Sequence, residues 1–134
     1  MNNWVELSLA LHRAHAKLRL VLDEELGAFH GIDFEDYALL HALTDVEGYG
    51  ASLPELARAL GATRSSILRC IRPLEKIGLV DCEGTVAQRR VALTSAGRRT
   101  VKSADSSAQS ICASSLPPLS AHEVDTLQNV LPRL

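Results

Sequence analysis

The chain has 134 residues, of which 46% are hydrophobic and 4% aromatic, and its formal net charge is −2. This length suits one domain with one core, and the slightly acidic total does not by itself indicate a nucleic-acid-binding protein. No apolar run is long enough to span a membrane, and the N-terminus lacks the basic start and apolar block of a signal peptide. We therefore expect a cytoplasmic domain whose three widely separated cysteines are thiols.

The N-terminal part of the sequence predicts two helices. Residues 4–29 place apolar side chains at alternating steps of three and four, which is the pattern of one long helix. This helix measures about 39 Å at 1.5 Å per residue, which is too long for a small core to cover alone. Asp33, followed by Phe34 and Tyr37, predicts the start of a second helix that braces the segment after it.

Residues 52–77 predict two short helices joined by a tight turn. Ser52 and Glu55 have the spacing of a capping box at the start of the first helix. A turn is expected at residues 61–62, which contain a glycine, and Thr63 is the expected cap of the second helix.

The second of these helices has two chemically distinct faces. At 100° per residue, one side is apolar and the other carries hydroxyls and cations. The apolar side consists of Ile67, Cys70, Ile71 and Leu74, and the polar side of Ser65, Arg69, Arg72 and Lys76. Arginine can bond guanine bidentately, and serine can bond bases or phosphates. With Arg64 and Ser66 beside its start, the polar side predicts a helix that reads the major groove, although an ordinary solvated helix is the alternative.

A hairpin that bears arginines is predicted next. Its strands are expected around residues 79–82 and 90–93, with the turn at residues 83–85, and a short strand at residues 51–53 is expected to pair with it. Such a wing can place an arginine in a narrow minor groove, although arginines also protect an edge strand from aggregation. The residues close to the tip are Gln88, Arg89 and Arg90.

Charge is strongly segregated along the chain. The segment from Arg58 to Lys102 contains ten basic and three acidic residues, a net charge of +7. The remainder contains four basic and thirteen acidic residues, a net charge of −9. A basic module framed by acidic helices is expected if only one region meets phosphates.

Two further helices are predicted at the C-terminal end. One pattern runs over residues 95–113, and after a break at residues 116–118 the pair Ser120 and Glu123 predicts the cap of the last helix. Because the apolar stripes at both ends of the chain exceed what one small domain covers, we expect a second subunit to pack against them.

In the order and spacing of these elements, the chain resembles the MarR family of bacterial transcription regulators. The resemblance is carried, almost from end to end, by GIDFEDYALLHAL, LPELARALGATRSSILRCIRPLEKIGLV and VALTSAGRRTV. It implies a mainly α fold with a small β-hairpin wing, a winged helix-turn-helix dimerised through its N- and C-terminal helices. Residues 1–134 would form one MarR-like domain, with residues 32–94 as the DNA-binding head and residues 1–31 and 95–134 as dimerisation helices.

The resemblance also implies a function, that of a homodimeric, ligand-responsive repressor that binds a pseudo-palindromic operator in double-stranded DNA. The residues expected to contact DNA are Arg64, Ser65, Ser66, Arg69, Arg72, Gln88, Arg89 and Arg90. Many members carry an Asp-x-Arg signature in the wing, but no Asp stands in the window before Leu93 and Thr94. Arg89 or Arg90 can replace the arginine, whereas the bracing carboxylate has no counterpart in this window.

Family members often bind small aromatic acids in a cleft between the dimer helices and the head. The residues that could line such a cleft are His12, His15, Tyr37 and His41, although surface histidines and core tyrosines are common. The alternative is a thiol-based redox-sensing regulator, for which Cys82 and Cys112 are candidates, while Cys70 lies on a packing face.

The sequence predicts no cofactor, no metal site and no enzyme. It contains no close CxxC or HxxxH pair, although His12 and His15 could share a helix face. It also contains no phosphate-binding glycine loop and no nucleophile elbow. The remaining alternative is a DNA-free, antirepressor-like interaction module, which would not need Arg69 or the wing arginines.

Overall fold

The computed structural model describes residues 2–46 and 48–134. In chain order its elements are α1 (Trp4–His30), α2 (Phe34–Ala42), β1 (Ala51–Ser52), α3 (Leu53–Leu60), α4 (Arg64–Lys76), β2 (Val80–Glu83), β3 (Arg90–Leu93), α5 (Ser95–Ser115) and α6 (Ala121–Val130). Single 3-10 turns occupy Val86–Gln88 and Leu131–Arg133. The helices predicted at residues 4–29 and 95–113 are confirmed, and both extend slightly further toward the C-terminus.

Side-chain caps determine where several helices begin. Asp33 and Asp36 accept hydrogen bonds from each other's backbone N–H groups at the start of α2. The same reciprocal arrangement is formed, at the starts of α4 and α6, by Thr63 with Ser66 and by Ser120 with Glu123. A cap of this kind typically stabilises a helix by about 1 kcal/mol. The sequence predicted the start of α4 from Thr63 and the start of α6 from Ser120 and Glu123.

Only one of the two hydrogen bonds of the capping box predicted at the start of α3 forms. The Glu55 N–H donates to Ser52 Oγ at 3.3 Å. Within the described residues the Glu55 carboxylate does not return this bond, and its Oε1 lies 3.5 Å from the Arg90 guanidinium instead. Helix α3 is therefore capped, while Glu55 connects it to a strand of the wing.

The three strands form an antiparallel sheet in the order β1-β3-β2. In the central strand, Val91 pairs with Ala51 on one side and Cys82 on the other. The strand predicted at residues 51–53 ends earlier, because Leu53 already begins α3. Gly50 has a φ of 83°, and a Cβ atom there would lie 2.6 Å from the Val91 carbonyl oxygen. Glycine is thus required where the chain enters the sheet.

One continuous apolar core joins the head to the long helices. Helix α1 packs mainly along α5, and α2 contacts both of them as well as α3 and α4. The buried residues of the long helices include Leu22, Leu26, Val101, Ala104, Ala108 and Ile111. In the head they include Leu56, Ile67, Ile71, Leu74, Val80 and Val91. Helix α2 thereby links α3 and α4 to the long helices α1 and α5.

Large apolar faces remain exposed at both ends of the single chain. Every residue from 2 to 17 in α1 and its N-terminal flank is exposed, and so are residues 121–129 of α6. Trp4 and Leu127 have 67% and 43% of their surface exposed. Such side chains are normally buried, at a gain of about 1.5 to 3 kcal/mol each. Among the described helices, none is long and apolar enough to cross a membrane.

Candidate nucleic-acid interface

Helix α4 presents a cationic face to solvent. Its residues Ile67, Ile71 and Leu74 are buried in the head, and Cys70 is half-buried beside them. The opposite side is exposed and carries Arg64, Ser65, Arg69, Arg72 and Lys76. The burial therefore agrees with the two faces predicted from the sequence, and Glu75 is the single carboxylate of this helix.

The first turn of α4 is held by Thr63 and Ser66. Thr63 Oγ1 accepts a hydrogen bond from the Ser66 N–H at 3.1 Å, and Ser66 Oγ accepts one from the Thr63 N–H at 3.2 Å. The two hydroxyl oxygens are 2.7 Å apart. Because its hydroxyl serves this cap, Ser66 is placed to hold the helix, whereas the neighbouring Ser65 is exposed. Their adjacent positions in the sequence did not distinguish the two serines.

A cleft of about 700 Å³ separates the start of α4 from the wing. It brings together four of the predicted DNA-binding residues, which are Arg64, Gln88, Arg89 and Arg90. Three arginines around one opening favour the binding of a phosphate backbone. The other four predicted residues lie outside the lining of this cleft. Ser65, Arg69 and Arg72 continue along the exposed face of α4, whereas Ser66 is half-buried and lines a different cleft.

The tip of the wing is more tightly folded than the sequence predicted. Gly84 has a φ of 92°, and a Cβ atom there would lie 2.5 Å from the Gln88 carbonyl oxygen. The 3-10 turn Val86–Gln88 then leads into Arg89 and β3. Glu83 belongs to β2, so the predicted turn at residues 83–85 begins one residue later. This turn places Gln88 and Arg89 on the side of the wing that faces the cleft.

Arg90 makes three contacts with the corner between β1 and α3. Its Nη1 atom lies 3.5 Å from Glu55 Oε1 and 3.5 Å from the Gly50 carbonyl oxygen. Its Cζ atom lies 5.2 Å from the centroid of the Tyr49 ring. Tyr49 and Glu55 were not predicted as part of the interface, because each lies more than thirty residues before Arg90 in the sequence.

Cys70 connects α4 to α2. Its Sγ donates to Asp36 Oδ1 at 3.2 Å. Burial, followed by this bond to Asp36, raises the pKa of the Cys70 thiol far above its usual range. Burial and the nearby Glu75 carboxylate raise the pKa of Cys82 to about 11. A redox-sensing thiol needs a lowered pKa, so the surroundings of these two cysteines oppose that role.

The four residues predicted to bind an effector do not share one cavity. His15 lines a cleft of about 460 Å³ between α1, α2 and the start of α4, and its ring centroid is 6.2 Å from that of Phe34. Thr63 and Ser66 form the opposite side of this cleft, which we call the His15 cleft. His12 lies outside that lining, exposed on the first half of α1.

Tyr37 and His41 line a separate cleft of about 330 Å³ between α2 and α5. The Tyr37 hydroxyl donates to Asp105, and His41 Nε2 lies 3.9 Å from the same carboxylate. Burial and then the bond to Asp105 raise the pKa of Tyr37 above its usual range. Residues 2–46 and 48–134 contain no group of three or more His, Cys, Asp or Glu side chains arranged to hold a metal ion.

Solved structures of MarR family proteins share this architecture. CouR from Rhodococcus jostii RHA1, bound to p-coumaroyl-CoA, has a TM-score of 0.83 at 20% identity, over 93% of this chain and 88% of that one. The MepR–DNA complex from S. aureus has a TM-score of 0.79 at 19% identity, over 99% of this chain and 96% of that one. Mycobacterium tuberculosis MarR family protein Rv2887, in complex with p-aminosalicylic acid, has a TM-score of 0.72 at 26% identity, over 95% of this chain and 96% of that one. The chain has the MarR fold.

The MarR fold accounts for the whole chain and not for the head alone, since each of these superpositions covers more than nine-tenths of it. In this fold α3 and α4 are the helix-turn-helix, β2 and β3 are the wing, and α1, α5 and α6 form the helical base. No protein-family model and no curated protein matches the sequence. The likeness is therefore one of structure, with few identical residues.

Proposed function

We propose that the chain is a transcription regulator that binds double-stranded DNA in a sequence-specific way. The observation that carries this proposal is the exposed cationic face of α4 beside a cleft lined by arginines of the wing. A single helix fits the major groove, about 12 Å wide, while a wing can follow the adjacent backbone. MepR, which has the same fold, was solved as a complex with DNA.

The residues of α4 take different tasks in this proposal. Arg69 and Ser65, with Arg64 beside the cleft, read base edges in the major groove. Arg72, one turn further along the exposed face, contacts a phosphate and adds affinity that does not depend on sequence. Ser66 holds the first turn through its cap, so its contribution to DNA binding is to keep the helix start in shape.

The wing supplies a second set of contacts. Gln88 and Arg89 lie where the 3-10 turn meets β3, on the lining of the cleft. From there Arg89 can enter a narrow minor groove, where the potential is most negative. Arg90 shares the lining, but its guanidinium lies 3.5 Å from Glu55 Oε1.

The regulator acts as a homodimer in this proposal. The exposed apolar faces of residues 2–17 and 121–129 need a cover, and a second copy offers the same faces in return. Residues 1–31 and 95–134 then form the dimerisation part, and residues 32–94 form the DNA-binding head. Two heads related by a twofold axis match an inverted repeat with half-sites about 34 to 36 Å apart.

A small aromatic effector is proposed to bind in the His15 cleft and to release the DNA. Both CouR and Rv2887 were solved with compounds that carry an aromatic ring. A ligand in the His15 cleft would touch Thr63 and Ser66, the cap of α4. Displacing that cap moves the exposed face of α4 relative to α1. A ligand that binds the displaced state more tightly than the DNA-binding state therefore weakens DNA binding. Occupation of a promoter by the ligand-free dimer gives repression.

The first experiment is selection of bound duplexes from a random DNA pool, followed by titration of the enriched duplex at two salt concentrations. We expect an inverted repeat and an affinity that falls steeply with salt. Light scattering after size exclusion should give twice the mass of one chain. If no sequence is enriched and only weak, salt-sensitive binding remains, the proposal fails and a DNA-free interaction module becomes the better interpretation.

A further inference from the structure

We infer that Arg90 is a positioning residue, held by Glu55 and Tyr49 so that the wing keeps its place against the head, and that its neighbour Arg89 is the wing arginine that reaches DNA. This inference rests on the proposed DNA-binding function. We call the contacts of Arg90 with Tyr49, the Gly50 carbonyl and Glu55 the wing clamp.

The clamp connects a central strand of the wing to a rigid corner of the head. Arg90 is the first residue of β3, and its backbone pairs with Ser52 on one side and Glu83 on the other. Its guanidinium turns toward Glu55 and the Gly50 carbonyl oxygen, each 3.5 Å from Nη1. The Tyr49 ring covers the same group, with its centroid 5.2 Å from Cζ. All three partners precede or begin α3.

The corner that holds Arg90 has little freedom of its own. Gly50 lies so close to Val91 that a Cβ atom would come within 2.6 Å of the Val91 carbonyl oxygen. Glu55 is in the first turn of α3, whose start is fixed by Ser52. A side chain tied to these groups therefore transmits the orientation of α3 to the base of the wing.

Arg89 differs from Arg90 in its partners. The ion pairs formed by the described residues include Arg90 with Glu55 and none with Arg89. Arg89 lies between the 3-10 turn and β3, and it lines the cleft toward the start of α4. The clamp also supplies a carboxylate partner for a wing arginine, in a wing whose own sequence lacks the family's Asp.

The opposite interpretation is that Arg90 leaves Glu55 and binds a phosphate when DNA arrives. The two interpretations predict opposite changes in DNA affinity for the substitution Glu55→Gln. If Glu55 competes with DNA for Arg90, removing its charge strengthens DNA binding. If Glu55 holds Arg90 in the clamp, removing its charge weakens DNA binding. Glu83→Gln is the matched control. Glu83 is exposed, it faces Arg90 across the β2–β3 pairing without an ion pair among the described residues, and its substitution also removes one negative charge near Arg90.

The test uses the 134-residue chain and the duplex that the wild type enriches from a random pool. Relative to Glu83→Gln, we expect Glu55→Gln to weaken binding about two- to fivefold, the range of an exposed ion pair. The double variant Glu55→Gln/Arg90→Gln should bind no more weakly than Arg90→Gln alone. Equal or tighter binding by Glu55→Gln than by Glu83→Gln would overturn the inference.

The salt dependence separates positioning from direct contact. We expect Arg89→Gln to reduce the slope of log K against log salt by about one, because one phosphate contact is lost. Arg90→Gln should lower the affinity and leave this slope unchanged. A slope reduced by Arg90→Gln as much as by Arg89→Gln would assign a phosphate contact to Arg90 and contradict the inference.

Hydrogen exchange tests the clamp without DNA. Glu55→Gln and Tyr49→Ala should accelerate exchange of the backbone amides of residues 89–91, while the amides in the second half of α1 keep the wild-type rates. If the wild type binds no duplex, the proposed function fails and hydrogen exchange alone decides whether the clamp exists. Unchanged exchange at residues 89–91 in both variants would show that the clamp does not hold the wing.

Discussion

Gly97, in the first turn of α5, lies directly against the backbone of Leu79, so a Cβ atom at residue 97 would overlap the Leu79 carbonyl oxygen. The same oxygen accepts a hydrogen bond from the Thr94 N–H at 3.1 Å. Thr94 Oγ1 in turn donates to the Gly78 carbonyl oxygen at 2.6 Å and caps the helix by accepting from the Gly97 N–H at 3.0 Å. This junction connects the long helix α5 to the loop that enters the wing.

The substitution Gly97→Ala should therefore destabilise the protein. Alanine favours a helix over glycine by about 1 kcal/mol, but overpacking against an immobile backbone costs about 1 to 3 kcal/mol or more. We expect a net loss in the free energy of unfolding, measured by urea denaturation. The control is Gly27→Ala in α1, where the new Cβ would meet no described atom within 4 Å outside its chain neighbours and the adjacent helix backbone. The free energy of unfolding of that variant should rise by about 0.5 to 1 kcal/mol. Equal effects of both substitutions would contradict the close packing.

Pro73 lies inside α4 and is exposed, so its replacement should stabilise the helix. Proline has no N–H to donate to the Arg69 carbonyl, and its ring crowds that carbonyl. We expect Pro73→Ala to raise the free energy of unfolding by about 1 to 3 kcal/mol. Pro54 is the matched control, because it occupies the first turn of α3, where proline is well tolerated. Pro54→Ala should not raise the free energy of unfolding. A similar rise from both substitutions would show that the position of Pro73 inside the helix does not cause the effect.

Arg69 and Arg72 should have different effects on DNA binding. Arg69→Ala is expected to cost about 1 to 3 kcal/mol on the enriched duplex and to relax the base preference. Arg72→Ala should lower the affinity for all duplexes alike. It should also reduce the slope of log K against log salt by about one, the loss of one phosphate contact. Fluorescence anisotropy with the enriched and a shuffled duplex distinguishes these effects. Equal losses on both duplexes from Arg69→Ala would remove Arg69 from the base-reading residues.

Cys82 should react slowly with thiol reagents at neutral pH. Burial and the Glu75 carboxylate raise its pKa to about 11, so little thiolate is present at pH 8. In a variant with Cys70 and Cys112 replaced by serine, we expect labelling by a disulfide reagent to be on the order of tenfold slower than that of an ordinary thiol. The rate should continue to rise up to about pH 11. Adding Glu75→Gln should lower the pKa of Cys82 and accelerate labelling, and an unchanged rate would exclude Glu75 as a cause.

The features that the sequence predicted correctly are set by neighbouring residues. The start of α4 follows from Thr63, whose hydroxyl caps a helix within its own turn. The length of α1 follows from a repeat that can be read over residues 4–29. The apolar face of α4 likewise follows from spacing, and Ile67 and Ile71 are buried as expected. Each of these properties depends on residues a few positions apart.

The features that the sequence did not predict depend on distant segments. Glu55 has the spacing of a capping box with Ser52, but its carboxylate contacts Arg90, since folding brings β3 against the start of α3. Tyr37 and His15 were predicted to line one cleft, because their helices were expected to pack together. They line two different clefts, because α2 meets α5 on one side and α4 on the other.

The proposed dimer would tie DNA binding to the abundance of the chain, through the exposed first half of α1. In the proposed dimer, the apolar face of residues 2–17 is covered only when two chains meet. Far below the dissociation constant, mass action makes the amount of dimer vary with the square of the total chain concentration. Halving expression would then lower the number of DNA-competent dimers about fourfold. Such a regulator responds to its own dosage more steeply than in proportion, in addition to any response to an effector.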